Sequence, residues 1–330
     1  MTFIQLRYFT AIVDAGFNIT LAATRVYATQ STLSKQLKLM EDELGFLLFS
    51  RRGRTLAGLT PGGEQVLEQA RGVLAGMGNI GALAANLRAD HDGELRIATT
   101  HTQARYVLPP ALGRLAARYP RVSFHLAAGG DRESLQRLDK GEAELAIVST
   151  GGDAPDADVA LPLYRWQRVV LVPADHPLAA AGDGLRLEDL VGPRLISYES
   201  SREPTSSLRR AFAGAGLEPE FALTARDGDL IKTYVRAGMG VGILAEMALP
   251  EREADLVALP AAILPGCTAW LLLKRDQVLR DFGIDFVLRL LPGWSRAELR
   301  RVLADEAPVP AAADAPQWRD WRRAWDGAGG

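Results

Sequence analysis

The chain has 330 residues and a formal net charge of −2, with 24% charged and 48% hydrophobic residues, which is typical of a globular protein of two or three domains. Its single cysteine, Cys267, excludes an internal disulfide and a cysteine-based metal cluster. The first residues lack the pattern of a signal peptide, and no apolar run reaches the ~18 residues of a bilayer-spanning helix, so we expect a cytoplasmic protein without membrane contact.

The first sixty residues predict a winged helix-turn-helix. Apolar residues at helical spacing indicate a first helix that ends at Gly16, a second over 19–26 and a third over 30–44. The sequence RRGRTLAGLT at 51–60 predicts a basic two-stranded wing. Residues 1–60 hold seven basic and four acidic side chains, a modest positive bias that suits contact with phosphates.

The predicted third helix carries a polar face that is suited to DNA recognition. Its outward positions hold polar and basic side chains, namely Gln30, Ser31, Thr32, Ser34, Lys35 and Lys38. Such side chains can bond base edges in the major groove, while the wing arginines Arg51, Arg52 and Arg54 contact phosphates. A plain three-helix bundle with solvated charges gives a similar pattern, but the spacing favours DNA binding.

A linker helix is predicted over 61–90. It contains four interior glycines, at positions 72, 76, 78 and 81, each of which costs up to ~1 kcal/mol relative to alanine. Because such a helix is weak alone, we expect it to pack against a second copy of the chain as a dimerisation helix.

Residues 91–295 alternate short apolar segments with helical patterns, which predicts an α/β fold with helix-covered parallel sheets. The predicted strands are 94–99, 123–127, 145–149, 169–173, 194–198, 221–224, 242–244, 256–258 and 269–274. The predicted helices are 103–118, 131–140, 204–215, 228–238 and 280–291. This length fits a two-lobed, doubly wound effector domain of the kind found in periplasmic binding proteins, with ligand at the carboxyl ends of strands. We expect lobe 1 over about 91–163 and 266–295, and lobe 2 over about 164–265.

The tail at 296–330 differs in composition from the preceding domain. Pro308–Pro316 is rich in proline and alanine, and Trp318, Trp321 and Trp325 follow among arginines. The pattern predicts a linker and a short amphipathic helix, whose tryptophans we expect to pack on the protein's own surface.

A candidate effector site lies where the strand Leu95–Ala98 runs into four polar residues, Thr99 to Thr102. Hydroxyls and free backbone N–H groups converge at such a turn, and the dipole of the next helix favours an anion. We therefore expect Thr100, Thr102 and Gln103 to bind a small anion, with Ser149 from a later strand end. Simple helix capping by these threonines is the alternative.

Several motifs of enzymes are absent or wrongly placed. The glycine run at 238–242 follows a helix and precedes a strand, the reverse of a dinucleotide fingerprint. The four histidines show no metal spacing, and the sequence has no G-x-S-x-G elbow and no P-loop. We expect no catalytic residues and no metal site.

Several segments resemble one family. TxxA at Thr20–Ala23, followed by TQSTLSKQLKLMEDELGFLLFSR at Thr29–Arg51, resembles the helix-turn-helix of LysR-type transcriptional regulators. Three later strings resemble its CysB-like branch, the sulfur-assimilation regulators: ATTHTQARYVLP at Ala98–Pro109, RYPRVSF at Arg118–Phe124 and DGDLIKTYVRAGMGVGI at Asp227–Ile243. The resemblance covers residues 1 to about 295, and the later strings are its more specific part.

The resemblance implies a regulator of sulfur-assimilation and cysteine-biosynthesis genes, without cofactor or enzymatic activity. It implies a homodimer or homotetramer on double-stranded promoter DNA, with RNA polymerase as a further partner. It also implies a small effector between the lobes: acetylserine, sulfate, thiosulfate or adenosine phosphosulfate.

The chain departs from the family pattern at three places. Ser31 stands where a proline usually begins the recognition helix, and Ser149 replaces a threonine but keeps a hydroxyl. The loop ESSREPTSS at 199–207 has Glu203 near the position of a ligand-binding threonine. Ser200, Ser201 or Thr205 can supply a hydroxyl instead, and Thr205 is our candidate.

Two other functions compete with this interpretation. The first is another transcriptional regulator of the same family, a paralogue that controls genes for sulfonate or sulfate-ester use. It senses sulfate or adenosine phosphosulfate. A solute-binding protein shares the two-lobed fold, but it explains neither residues 1–60 nor the lack of a signal peptide pattern.

Overall fold

The computed structural model describes residues 1–53, 55–249 and 255–327. The chain divides into two compact units, residues 1–90 with 276–278, and residues 91–275 with 279–330. No helix in the described ranges is long and apolar enough to cross a membrane.

The first unit is a helix-turn-helix with a two-stranded wing and a long helix. Its elements are α1 (Phe3–Asp14), α2 (Ile19–Arg25), α3 (Gln30–Leu44), β1 (Phe49–Arg52), β2 (Thr55–Leu59) and α4 (Pro61–Leu87). Side chains of Thr2, Asn18, Thr29 and Thr60 cap the four helix starts. Helix α3 ends at Gly45, whose φ of +79° is the left-handed conformation that glycine adopts without strain.

A buried carboxylate ties the wing to α3. Glu41 is 5% exposed, and its Oε1 accepts hydrogen bonds from the backbone N–H groups of Leu48 (2.9 Å) and Phe49 (3.4 Å). The guanidinium of Arg51 lies 3.5 Å from its other oxygen. The wing is therefore held at a fixed position beside the helix that carries the predicted DNA-contacting face.

Helix α4 leaves an apolar stripe uncovered in the single chain. Val73, Met77, Ile80, Leu83 and Leu87 are 51%, 49%, 64%, 52% and 79% exposed. A Cβ built on any of the four interior glycines meets nothing within 4 Å. Apolar side chains at helical spacing without a covering element are typical of an association surface.

The second unit consists of two α/β lobes. Its strands are β3 (Gly93–Thr100), β4 (Val122–Gly129), β5 (Leu145–Thr150), β6 (Val159–Trp166), β7 (Arg168–Pro173), β8 (Leu195–Tyr198), β9 (Phe221–Ala225), β10 (Val241–Ala245), β11 (Leu256–Pro260) and β12 (Cys267–Leu273). Its α-helices are α5 (Leu108–Arg118), α6 (Asp131–Asp139), α7 (Ser207–Gly214), α8 (Gly228–Arg236), α9 (Asp281–Leu290), α10 (Arg296–Leu303) and α11 (Trp318–Gly327). Lobe 1 has strand order β4-β3-β5-β12-β6, and lobe 2 has β11-β7-β10-β8-β9.

The chain passes between the lobes twice, first at Gln167 and again between β11 and β12. The strand that enters each lobe, β7 in lobe 2 and β12 in lobe 1, runs antiparallel to both of its neighbours. The other pairs are parallel. The predicted α/β fold is therefore confirmed, and its sheets are mixed because a strand that returns from the other lobe arrives in the opposite direction.

Strand β6 was not predicted from the sequence pattern, and the expected lobe boundary at 163/164 falls inside it. Pro162 breaks the strand pattern, since proline cannot donate to a sheet ladder. The structure accommodates Pro162 because β6 lies at the sheet edge and the pairing register shifts beside it, between Ala269 and Trp270 of β12. Helix α10 was not predicted, and the helix expected from residue 204 begins at Ser207.

The C-terminal segment packs on lobe 1. Trp318, Trp321 and Trp325 are 9%, 2% and 2% exposed and belong to the core that also holds the β6 residues Leu161 and Tyr164. The amphipathic character of α11 thus comes from one aromatic side that is buried against the lobe and one arginine-rich side.

Candidate functional site

A cleft of about 640 Å³ opens between the two lobes. All five predicted effector residues line it: Thr100, Thr102, Gln103, Ser149 and Thr205. The first four come from the carboxyl ends of β3 and β5, which pair in parallel with Thr99 opposite Ile147. Parallel pairing brings these two strand ends to one edge of the sheet, where α/β folds bind ligands.

Gln103 and Ser149 form the floor of a hydrogen-bonded network. Gln103 is 1% exposed, and its Nε2 donates to Ser149 Oγ at 3.3 Å. Its Oε1 accepts from the hydroxyl of Tyr164, whose pKa is raised by burial, so the phenol keeps its proton. Trp166 Nε1 also donates to Ser149 Oγ, at 3.3 Å. Because Ser149 Oγ accepts twice, its own proton is left for another acceptor.

The two threonines of the turn have different roles. Thr100 Oγ1 accepts from the backbone N–H of Gln103 at 3.4 Å, which is the capping contact that the alternative interpretation requires. Thr102 makes no capping bond and instead donates to the hydroxyl of Tyr198 in lobe 2, at 3.3 Å. The five residues after Thr102 form a π-helical turn, Gln103–Val107, a feature that is frequent at functional sites.

The loop at 199–207 forms the opposite wall. Thr205, Ser200 and Glu203 are exposed and line the cleft. Ser201 is buried, and its Oγ lies 2.9 Å from Ser197 Oγ, so its hydroxyl is engaged within lobe 2. Ser207 accepts from Arg168 at 2.8 Å.

The sequence analysis missed several residues that line or support the cleft. Tyr164 and Trp166 lie on the unpredicted strand β6, and Arg168 begins β7. The aromatic and basic residues of YRWQR at 164–168 were the available signal. Because no strand was predicted there, nothing in the sequence indicated that these residues lie near the predicted effector residues. Arg132, Arg210 and Arg226 add further positive charge to the lining.

Asp131 is a carboxylate of the cleft lining that contacts one of the predicted residues, Ser149. Its Oδ1 accepts from the backbone N–H of Ser149 at 2.9 Å. The pKa of Asp131 is raised to about 6, chiefly by burial; the bond from Ser149 lowers it and the charge of Glu203 adds to the rise. The cleft therefore contains a group that changes charge near neutral pH.

The predicted DNA face is solvent-exposed in the first unit. Gln30, Ser31, Thr32, Ser34, Lys35 and Lys38 of α3 are all exposed, as are Arg51 and Arg52 of β1. The hydroxyls of Ser31 and Thr32 lie 2.9 Å and 2.8 Å from Thr29 Oγ1, so they share the helix cap. Arg54, the remaining candidate, lies outside the described residues.

Two family descriptions match this chain. "Bacterial regulatory helix-turn-helix protein, lysR family" matches residues 3–64, and "LysR substrate binding domain" matches residues 88–291.

Individual relatives are similar over most of their length. The chain is 39% identical over 299 residues to the HTH-type transcriptional regulator CysB of Haemophilus influenzae, across 90% of this chain and 92% of that protein. It is 38% identical over 239 residues to the regulator SsuR of Burkholderia cenocepacia, across 72% and 77% of the two chains. The solved cofactor-binding domain of the Cbl transcriptional regulator is 37% identical, with a TM-score of 0.58, over 65% of this chain and 94% of that chain.

The raised pKa of Asp131 predicts a pH-dependent stability. The folded protein binds this proton more tightly than the unfolded chain does, so ionisation of Asp131 lowers stability as the pH rises through about 6. We expect Asp131→Asn, which keeps the acceptor for Ser149, to raise the free energy of unfolding by about 1–3 kcal/mol at pH 7.5. The gain should shrink towards zero below pH 5.

Urea unfolding followed by tryptophan fluorescence measures this, because all six tryptophans lie between residues 166 and 325. Asp175→Asn, at an exposed carboxylate of lobe 2, is the matched control. A gain that is equal at both pH values, or no gain at all, would contradict the assignment.

Proposed function

The chain belongs to the LysR family of DNA-binding transcriptional regulators, which are not enzymes, and on that premise we propose that it controls sulfur-assimilation and cysteine-biosynthesis genes. We further propose that a small effector with an oxyanion group controls this activity. The observation that supports this is the convergence of hydrogen-bond donors on the interlobe cleft. We place its action in the cytoplasm, on promoter DNA and together with RNA polymerase.

The proposed DNA contacts follow from the exposed face of α3 and from the wing. Short polar side chains near the start of α3 reach base edges, while Lys35, Lys38 and the wing arginines contact phosphates. Glu41 supports both surfaces, because its buried carboxylate fixes the wing backbone to α3.

Lys35→Ala should weaken DNA binding. If Lys35 contacts a phosphate, the slope of log affinity against log salt should fall by about one unit. If it contacts guanine, specificity should relax at one base position. Salt-titrated gel shifts with nonspecific duplex and with promoter fragments separate the two cases. Lys140→Ala removes an exposed lysine from lobe 1 and should change neither quantity. If Lys35→Ala also changes neither, α3 is not the recognition helix.

We propose that α4 pairs with α4 of a second copy. Its apolar stripe is exposed in the part of the chain that the structure describes, and the open glycines allow another helix to approach closely. A twofold pair of helix-turn-helix units also explains recognition of palindromic half-sites. A homotetramer requires a second contact beyond this helix pair.

Ile80→Asp should break the proposed α4 pair, because it places a charge in the middle of the apolar stripe. Sedimentation of the full chain at micromolar concentration should show a dimer or larger species for the natural protein and a monomer for the variant. Gln69→Asp, at an exposed polar position of the same helix, should leave the assembly intact. A monomeric natural protein would refute the pairing.

The proposed effector site consists of hydrogen-bond donors. The hydroxyls of Thr102 and Ser149 and the second N–H of Gln103 Nε2 can point at one acceptor, and sulfate or thiosulfate accepts without donating. The volume of about 640 Å³ also admits the larger acetylserine or adenosine phosphosulfate.

Effector binding at this position would act on the lobe arrangement. Thr102 of lobe 1 donates to Tyr198 of lobe 2, and nearby Tyr106 donates to Asp229 of lobe 2 at 2.7 Å. An anion that accepts a hydrogen bond from the Thr102 hydroxyl replaces Tyr198 as its acceptor. Loss of this contact between the lobes favours one lobe arrangement over another. The regulatory coupling equals the difference in effector affinity between the two arrangements.

Thr102→Val keeps the side-chain shape but removes its hydroxyl. The loss of one hydrogen bond to a charged ligand costs ~1.5–3 kcal/mol, so affinity should fall tenfold or more. Calorimetric titration with sulfate, thiosulfate, acetylserine and adenosine phosphosulfate measures this, with circular dichroism to confirm folding. Thr233→Val, at an exposed position of α8, is the control. Unchanged affinity for every effector would mean that these threonines only stabilise the turn.

The same titration separates the sulfur circuits. The divergent loop at 199–207, with Glu203 in the cleft lining, favours a sulfonate or sulfate-ester regulator as the second candidate. Preference for adenosine phosphosulfate or sulfate over acetylserine would support that circuit.

A further inference from the structure

The amide of Gln103 is held from behind by aromatic residues of the C-terminal segment. The Tyr164 hydroxyl, which donates to Gln103 Oε1, belongs to a fully buried ring that contacts the indoles of Trp318 and Trp321, which also stack on each other with centroids 5.5 Å apart. The ring centroids lie 4.9 Å and 4.8 Å from that of Tyr164. A residue of the effector cleft is thus connected through one side chain to a segment about 215 residues later in the sequence.

The segment is fixed to lobe 1 at several points. Trp321 Nε1 donates to the carbonyl of Leu290 in α9 at 3.0 Å. The backbone N–H of Arg165 donates to the Pro316 carbonyl at 2.8 Å, and its Nε donates to the Ala315 carbonyl at 3.0 Å. At the far end, the guanidinium of Arg114 lies 4.8 Å from the Trp325 ring centroid. The segment is therefore anchored to lobe 1 both before and after the two indoles that contact Tyr164.

The orientation of the Gln103 amide determines the chemistry of the cleft. With Tyr164 donating to Oε1, the nitrogen faces Ser149 and presents only N–H groups. A carboxamide turned by half a revolution would place its oxygen there and would repel an oxyanion. A turn would leave the buried hydroxyl proton of Tyr164 without this acceptor, so the Tyr164 hydroxyl favours the observed orientation.

We propose that Trp318 and Trp321 are positioning residues, which hold Tyr164 so that Gln103 presents N–H donors to the effector. The C-terminal segment then determines effector affinity without touching the effector. This inference rests on the proposed function, because it assigns an oxyanion-bearing ligand to the cleft.

Calorimetry on the full chain with sodium sulfate and sodium thiosulfate tests the proposal. Tyr164→Phe keeps the ring but removes the hydroxyl, and Trp318→Leu keeps apolar volume but removes the ring. Each should weaken binding about tenfold, the size expected when one donor is lost or misplaced. Trp294→Leu, at a partly buried indole of the same lobe that is not stacked on Tyr164, should bind like the natural protein.

The double variant separates positioning from general packing. If Trp318 acts through the Tyr164 hydroxyl, then Tyr164→Phe with Trp318→Leu should bind as weakly as Tyr164→Phe alone. Additive losses would overturn the proposal, as would a Trp318→Leu variant that unfolds more easily but binds normally. Trp318→Phe, which restores an aromatic ring, should recover most of the affinity.

A ligand-free measurement keeps this inference separate from the proposed function. If the natural protein binds none of the effectors, the oxyanion assignment fails. A neutron crystal structure of unliganded, deuterated Trp318→Leu, which distinguishes the amide nitrogen from the oxygen, still decides the positioning role. Gln103 Nε2 turned away from Ser149 Oγ would support it, and an unchanged amide would overturn it.

Discussion

Two nitrogen donors converge on the hydroxyl oxygen of Ser149, and the chemistry of the interlobe cleft depends on this arrangement. Because Gln103 and Trp166 occupy its acceptor capacity, Ser149 can only donate towards the cleft. The same arrangement orients the Gln103 amide, which Tyr164 holds from its other end. A site made of donors discriminates by hydrogen bonding, within a lining that carries both arginines and carboxylates.

The two crossings of the chain place this donor set beside the boundary between the lobes. Strand β6 carries Tyr164 and Trp166 and ends one residue before the crossing at Gln167, after which Arg168 begins lobe 2. A change in the lobe arrangement would therefore alter the backbone within a few residues of the proposed effector site. Proteins that transmit a ligand signal through rigid-body motion need this closeness of site and hinge.

The sequence predicted the local features of this fold well. Helical spacing located α3, and the change from apolar to polar residues after Ala98 located the turn that carries Thr102 and Gln103. Ser149 was placed in the cleft with help from a family resemblance. Strand β6 was missed because it contains Pro162, and proline is tolerated in a strand mainly at the edge of a sheet. Whether a strand lies at the edge depends on the whole sheet and cannot be read from the segment alone. The role of Tyr164 depends on contacts with residues far along the chain, which local patterns do not record.

The bridge between Arg165 and Gln317 has a consequence for self-association. Strand β6 is the last strand of its sheet, and a free strand edge is a template on which other chains can add. The Pro316 carbonyl of the C-terminal segment accepts a hydrogen bond from the backbone N–H of Arg165 at this edge. The tryptophans of α11 pack in the core of the same lobe. The segment therefore covers part of the free edge of β6, where a strand of another chain could otherwise pair. This cover opposes aggregation by strand addition at high protein concentration.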